Sequence, residues 1–78
     1  MIEVPDGCVV LEPRMVMDVA IVRLQPGLDG RPIVVYSRER IIRALMAADG
    51  MTREEAEDYF DYNIAGDWYG PRSPKFTR

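Results

Sequence analysis

The chain reads as an α+β domain: a short antiparallel sheet of two or three strands with two helices packed on one face, in the order ββ(β)αα. Three observations predict it. Residues 37–50 and 52–66 each begin on a side chain that can cap a helix and end on a glycine. Upstream of them, apolar β-branched runs are punctuated by Pro and Gly. Gly50-Met51 is so short a connection that the two helices should lie as a tight antiparallel or angled pair against the sheet.

The 78 residues make a single small domain, and a chain of that size buries only about 60 % of the surface its unfolded state exposes, so the core is thin. One cysteine, Cys8, leaves no internal disulfide to supplement that core. It reads as a small apolar residue in reducing surroundings, the alternative being a reactive thiol, which would need a basic neighbour that the sequence does not identify. Histidine is absent, which removes the commonest transition-metal ligand, and no cofactor is expected. A formal charge of −3 argues against general binding of nucleic acid, which needs clustered Lys and Arg. Met1-Ile-Glu-Val-Pro5 lacks the basic and apolar regions of a signal peptide, and no apolar run reaches the roughly 20 residues that span a bilayer. The expectation is a soluble, cytoplasmic protein with no membrane partner.

In chain order, Gly7-Cys-Val-Val-Leu11 reads as a short strand bracketed by Pro5 and Pro13. Met15 to Leu24 carries a second, whose firm part is Asp18 to Leu24. Alternation there puts Val19, Ile21 and Arg23 on one face and Ala20, Val22 and Leu24 on the other. Gln25 to Arg31 is a loop, because Pro26-Gly27 and Asp29-Gly30 are turn dipeptides, and it should close an antiparallel hairpin onto Pro32-Ile-Val-Val-Tyr36. The loop matches neither the Walker pattern nor the dinucleotide fingerprint.

Ser37 then caps a helix running to about Asp49, with Gly50 as its left-handed end. Tyr36 and Ile41 sit where a hydrophobic staple places them. Ile41, Ile42, Leu45 and Ala48 should face the core, while Glu39, Arg40, Arg43 and Ala47 face away. Arg38 falls nearer the apolar side. Two readings stand for it: its stem covers the core and its guanidinium returns to water, or it lines a concave site for a phosphate or carboxylate beside Tyr36.

The second helix has a sharper start. Thr52 and Glu55 form a capping box, and Gly66 is the stop. Ala56, Phe60, Asn63 and Ile64 share one side, with Tyr59 at its edge, and Glu54, Glu57, Asp58 and Asp61 lie opposite. Glu54/Asp58 and Glu57/Asp61 are like-charge pairs at i,i+4, each costing a helix roughly 0.2–0.5 kcal/mol. An acidic side of this kind is either a solvated face or a docking face for a basic partner.

Residues 67–78 form an extended aromatic and basic tail, too rich in Pro and Gly for a helix. Residues 53–67 hold one base against six acids, whereas 68–78 hold Arg72, Lys75 and Arg78 and no acid. Trp68, Tyr69 and Phe76 either fold back over the helices or pack into another subunit. Asn63, on the side expected to be buried, either ties down the returning tail or reads a ligand edge beside Tyr36, Tyr62 or Trp68.

Tyr36-Ser-Arg-Glu-Arg-Ile-Ile-Arg-Ala-Leu-Met46, followed by Gly50-Met-Thr-Arg-Glu-Glu-Ala-Glu-Asp-Tyr-Phe-Asp-Tyr-Asn-Ile-Ala-Gly-Asp-Trp-Tyr-Gly-Pro71, resembles small uncharacterised proteins of tailed phages and prophages. Their shared pattern is a tyrosine, a capping residue and a basic-apolar helix ending in Leu-Met, then a Met-Thr, Glu-Glu-Ala, Tyr-Phe, Asn helix and a Gly, aromatic, Gly tail. Asp18-Val-Ala-Ile21 is also similar. Asp67 departs from the pattern where a small residue is usual, and Pro71-Arg72 where an acidic residue and its neighbour are common. The resemblance implies a phage origin and a host-cytoplasmic setting, and supplies no mechanism.

Catalysis is not expected, because no nucleophile has an identifiable base partner and the carboxylates sit on an exposed helix face. Glu54, Asp58 and Asp61 lack the loop geometry of a calcium site, so no metal is expected. The leading expectation is a phage-encoded interaction protein that binds and modulates a host protein with a basic surface, in counter-defence or host takeover. Glu54, Glu57, Asp58 and Asp61 would dock it, with Tyr62, Trp68 and Tyr69 as aromatic anchors. An alternative from another class is a homo-oligomeric sponge for a nucleotide signal, using Tyr36, Arg38, Asn63 and Trp68. A third is a minor structural or regulatory phage component.

Overall fold

The computed structural model describes residues 2–66 and 70–77. Helix α1 (Arg14–Met17) runs through a 3-10 turn at Asp18–Ala20 into strand β1 (Ile21–Pro26). Strand β2 (Pro32–Ser37), helix α2 (Arg38–Asp49), helix α3 (Arg53–Asn63) and strand β3 (Lys75–Thr77) follow. The fold is α+β, with a three-stranded mixed sheet in the order β1-β2-β3.

The hairpin forms where its turn residues predict. Gly27 N–H donates to the Arg31 carbonyl at 2.8 Å and the Asp29 carboxylate accepts from Arg31 N–H at 3.0 Å, closing the loop. Strand β1 pairs antiparallel with β2 from Ile21↔Tyr36 to Pro26↔Pro32, with a register irregularity between Ile21 and Arg23. A bulge of this kind breaks simple alternation, so Ile21 is buried while Arg23, expected on the same face, is exposed. In β2, Ile33, Val34, Val35 and Tyr36 are all buried, as a central strand covered on both faces must be. Val34 and Tyr36 share one face and join Ile41, Ile42, Leu45, Ala56 and Phe60 in a single core, which places both long helices on that side.

Both helix starts follow their caps. Ser37 Oγ accepts from Arg40 N–H at 3.2 Å, and Gly50 ends α2 in the left-handed region at φ 67°. The Thr52 hydroxyl accepts from Glu55 N–H at 3.1 Å while the Glu55 carboxylate accepts from Thr52 N–H at 2.9 Å. Helix α3 stops at Asn63, with turn residues reaching Gly66. Ala48 and Asn63, expected on buried sides, are exposed: the buried residues are Ile41, Ile42 and Leu45 on α2 and Ala56 and Phe60 on α3.

Three expectations are corrected. Residues 7–11 are not a strand: they form no ladder with the sheet, whose central strand β2 is flanked by β1 and β3. The segment is instead tied down at single points: Leu11 N–H donates to Tyr36 Oη at 2.9 Å, and the Cys8 thiol donates to the Pro32 carbonyl at 3.3 Å. Residues 14–20 are helical, with Pro13 C=O accepting from both Val16 and Met17 N–H at 3.0 Å and Arg14 paired to Asp18 one turn on. Met17 and Ala20 therefore enter the core and Met15 and Val19 point out.

The third strand comes from the tail. Lys75–Thr77 pairs parallel with Val35–Ser37, so the sheet is mixed. Phe76 lies 6.0 Å from Tyr36, stacked, and 5.1 Å from Phe60, edge-on. Arg72 holds the tail to the start of β2 and to the amino-terminal loop, donating to the Pro32 carbonyl at 2.8 Å, the Asp6 carbonyl at 3.4 Å and Cys8 Sγ at 3.3 Å. Of the two placements open for the tail, its described part takes the first and packs on its own domain. Trp68 and Tyr69 lie outside the described residues.

Candidate functional site

Helix α3 positions the acidic side. With Ala56 and Phe60 turned into the core, a 100° step places Glu54, Asp58 and Tyr62 on the row diametrically outward, Glu57 and Asp61 on one flank, and Tyr59 and Asn63 on the other. These flanks differ chemically. Arg38 extends from the start of α2 with its guanidinium carbon 5.3 Å from the Phe60 ring centroid, and its terminal nitrogens lie 3.9 Å from Glu57 and 3.7 Å from Asp61. Arg53 reaches Glu57 at 3.6 Å and grips Glu39 with two hydrogen bonds of 2.6 and 2.9 Å. Arg43 adds a third bond to Glu39, at 3.0 Å.

Arg43, Glu39, Arg53, Glu57, Arg38 and Asp61 thus alternate in sign along the α2–α3 seam. The expectation of four free carboxylates is corrected here: Glu57 and Asp61 are occupied by the chain's own arginines, and Arg38 bridges the like-charge pair that they form. Glu54 and Asp58 have no ion pair among the described residues, and Tyr62, one turn beyond Asp58, is 83 % exposed. The solvent-facing side of α3 thus carries these two carboxylates and a phenol, with Asp61, its side chain 57 % exposed, beside them.

The Arg53 hydrogen bonds, aided by its charge and by Arg43, hold the Glu39 carboxyl down to about 2 against a desolvation effect of opposite sign. Arg53 is raised by the same contact. The capping hydrogen bonds from Thr52 lower Glu55. A carboxylate whose folded-state pKa is depressed contributes stability that is complete above its unfolded value and is lost as pH falls through the folded one. The contribution of Glu39 should therefore disappear between pH 4.5 and about 2. Chemical denaturation across that window should show a flatter acid limb for Glu39→Gln than for the parent, and parallel limbs would remove the seam from any role in stability. Because Glu39 and Arg53 are partly solvated, the effect is small.

Of the residues expected for a nucleotide, Tyr36, Arg38 and Asn63 do not converge, and Trp68 lies outside the described residues. Tyr36 is wholly buried, its hydroxyl occupied by Leu11 N–H and its ring covered by Phe76, and burial raises its pKa. Arg38 is one-third exposed and lies over Phe60, close to the first reading made of it, with its guanidinium shared between water and the carboxylates of Glu57 and Asp61. Asn63 lies on the far flank of α3. Among the described residues no group of three or more Asp, Glu or Cys converges as a metal site, and no helix is long and apolar enough to cross a membrane.

On the Tyr59 and Asn63 flank, a pocket of about 360 Å³ opens between α3, the end of α2 and residues 9–13. Its buried or half-buried floor includes Val16, Met17, Leu45 and Ile64, and its exposed rim includes Glu12, Asp49, Tyr59 and Asn63. Sequence reasoning missed Glu12 and Asp49, which lie 37 positions apart and come to line one pocket only in the folded chain. Arg53 was legible as an i,i+4 partner of Glu57, whereas the reach of Arg38 to Asp61 was not.

Compared with known proteins, the chain matches no protein-family model, no curated protein and no solved structure.

Proposed function

We propose that this is a small, non-enzymatic interaction protein of phage origin that binds a basic surface on a host protein and modulates it, docking through the outward ridge of α3. The observation that carries the reading is what is left after internal pairing: Glu54 and Asp58, one turn apart and without a cation among the described residues, in line with the exposed Tyr62. Keeping two like charges adjacent on a helix disfavours it by roughly 0.2–0.5 kcal/mol, and an adjoining exposed phenol adds the contact area that interfaces favour. The resemblance to phage proteins supports the setting, and a host cytoplasm is the place where such a chain meets its partner. Steering by two carboxylates acts mainly on association rate and is weakened by salt.

The test is a Glu54→Gln/Asp58→Lys variant, which leaves the Arg38 and Arg53 pairs intact. Its stability should stay within about 0.5 kcal/mol of the parent, since only an exposed repulsive pair is changed. Capture of the host partner should weaken at least about tenfold at low salt. A variant that folds and captures the same protein with parental affinity and salt dependence defeats the reading.

A further inference from the structure

The pocket beside α3 joins an apolar floor to a rim of a single charge sign. Met17 and Leu45 at its base are almost fully buried, and Val16 and Ile64 flank them. At its mouth stand the carboxylates of Glu12 and Asp49, the Tyr59 phenol and the Asn63 amide. Among the described residues no lysine or arginine lines it. Arg14, the cation nearest to Glu12 in sequence, is bound to Asp18 at 3.0 Å, and Asp18 dominates the rise of its pKa while the charge of Glu12 acts on it most weakly.

The backbone adds to this polarity. Asp49 and Asn63 are the last residues of α2 and α3, so two helix C-termini meet the same rim, and neither helix has a basic residue in its last turn. A helix C-terminus carries the equivalent of about half a negative charge, which a cation nearby relieves. The volume, about 360 Å³, falls in the range of small-molecule sites, where an apolar lining supplies affinity and a few polar groups fix orientation.

We infer that this pocket binds a small organic cation: an aromatic or branched aliphatic body seated on Val16, Met17, Leu45 and Ile64, with an ammonium group held at the rim by Glu12 and Asp49. The Asn63 amide oxygen and the Tyr59 hydroxyl are further acceptors for the ammonium protons. An anion is excluded by the same rim, and a neutral analogue loses the charge-assisted hydrogen bonds. The site is separate from the outward row of Glu54, Asp58 and Tyr62 and does not depend on the function proposed for it.

Three probes of matched shape test the inference: 2-phenylethylammonium, 2-phenylethanol and phenylacetate, titrated into the ¹⁵N-labelled full chain and followed by amide chemical shifts. The ammonium should give saturable shifts concentrated at residues 10–12, Leu45, Asp49 and Asn63, the alcohol should bind about fivefold or more weakly, and the carboxylate should not saturate. Asp49→Asn and Glu12→Gln, both at exposed positions, should each weaken the ammonium by up to about fivefold and leave the alcohol unchanged. Equal affinity for all three probes, shifts centred elsewhere, or no saturation with the ammonium would overturn the inference. So would an ammonium that binds only after Trp68→Ala, because the pocket would then belong to the chain's own aromatic.

Discussion

Phe60→Ala is expected to lower stability by about 3–5 kcal/mol, the range for removing a fully buried phenyl ring. Phe60 is 3 % exposed and lies where three parts of the molecule meet. Its side chain joins α3 to the core that contains Tyr36 and Leu45, its edge meets Phe76 of β3, and its face carries the Arg38 guanidinium. A chain of 78 residues is stable by about 4–12 kcal/mol at the usual stability per residue, so the loss takes a quarter or more of the total. Arg38 would also lose the ring over which it rests and with it the geometry that pairs Glu57 and Asp61. Urea denaturation measures the loss, with Tyr59→Ala, one residue away and 41 % exposed, as the control. A fall of less than about 1 kcal/mol for Phe60→Ala would mean that α3 is not held through this ring.

Those same contacts show which parts of the fold the sequence could announce. Both long helices were legible because their stop and start signals are local: Ser37, Thr52, Glu55 and Gly50 each act on backbone groups within a few positions of themselves. The hairpin was legible for the same reason, since Gly27, Asp29 and Gly30 close it from within. Residues 7–11 have the composition of a strand, and nothing in their own chemistry records that the place beside β2 goes to Lys75–Thr77 instead. The short helix at Arg14–Met17 was hidden because Met15 to Leu24 is apolar at either period, although the Arg14 and Asp18 pair one turn apart was its one local signal.

The candidate surface divides along the same line. That α3 carries its carboxylates on one side follows from spacing alone. Which of them are free does not, because Arg38 reaches Glu57 and Asp61 from another helix, more than a dozen positions away in sequence. The crowding that suggested an external cation is therefore in part met internally, and Glu54 and Asp58 are the two of the four without an ion pair among the described residues.

Phe76→Ala should cost about 2–4 kcal/mol, somewhat less than Phe60→Ala because Phe76 is only partly buried. The loss has a different character. Strand β3 is three residues long and pairs on one side only, so its hydrogen bonds alone do not hold it. Phe76, stacked on Tyr36 and edge-on to Phe60, is what anchors it. Removing that ring should free Lys75–Thr77 from β2 and expose the edge at Val35–Ser37, so amide exchange should accelerate there before the rest of the core opens. If the two rings act together, Phe60→Ala and Phe76→Ala combined should cost less than the sum of the singles, with a coupling of about 0.5–1.5 kcal/mol. Additive losses with unchanged exchange at residues 35–37 would show instead that β3 is held by its backbone, and that Phe60 stabilises the helices without help from the tail.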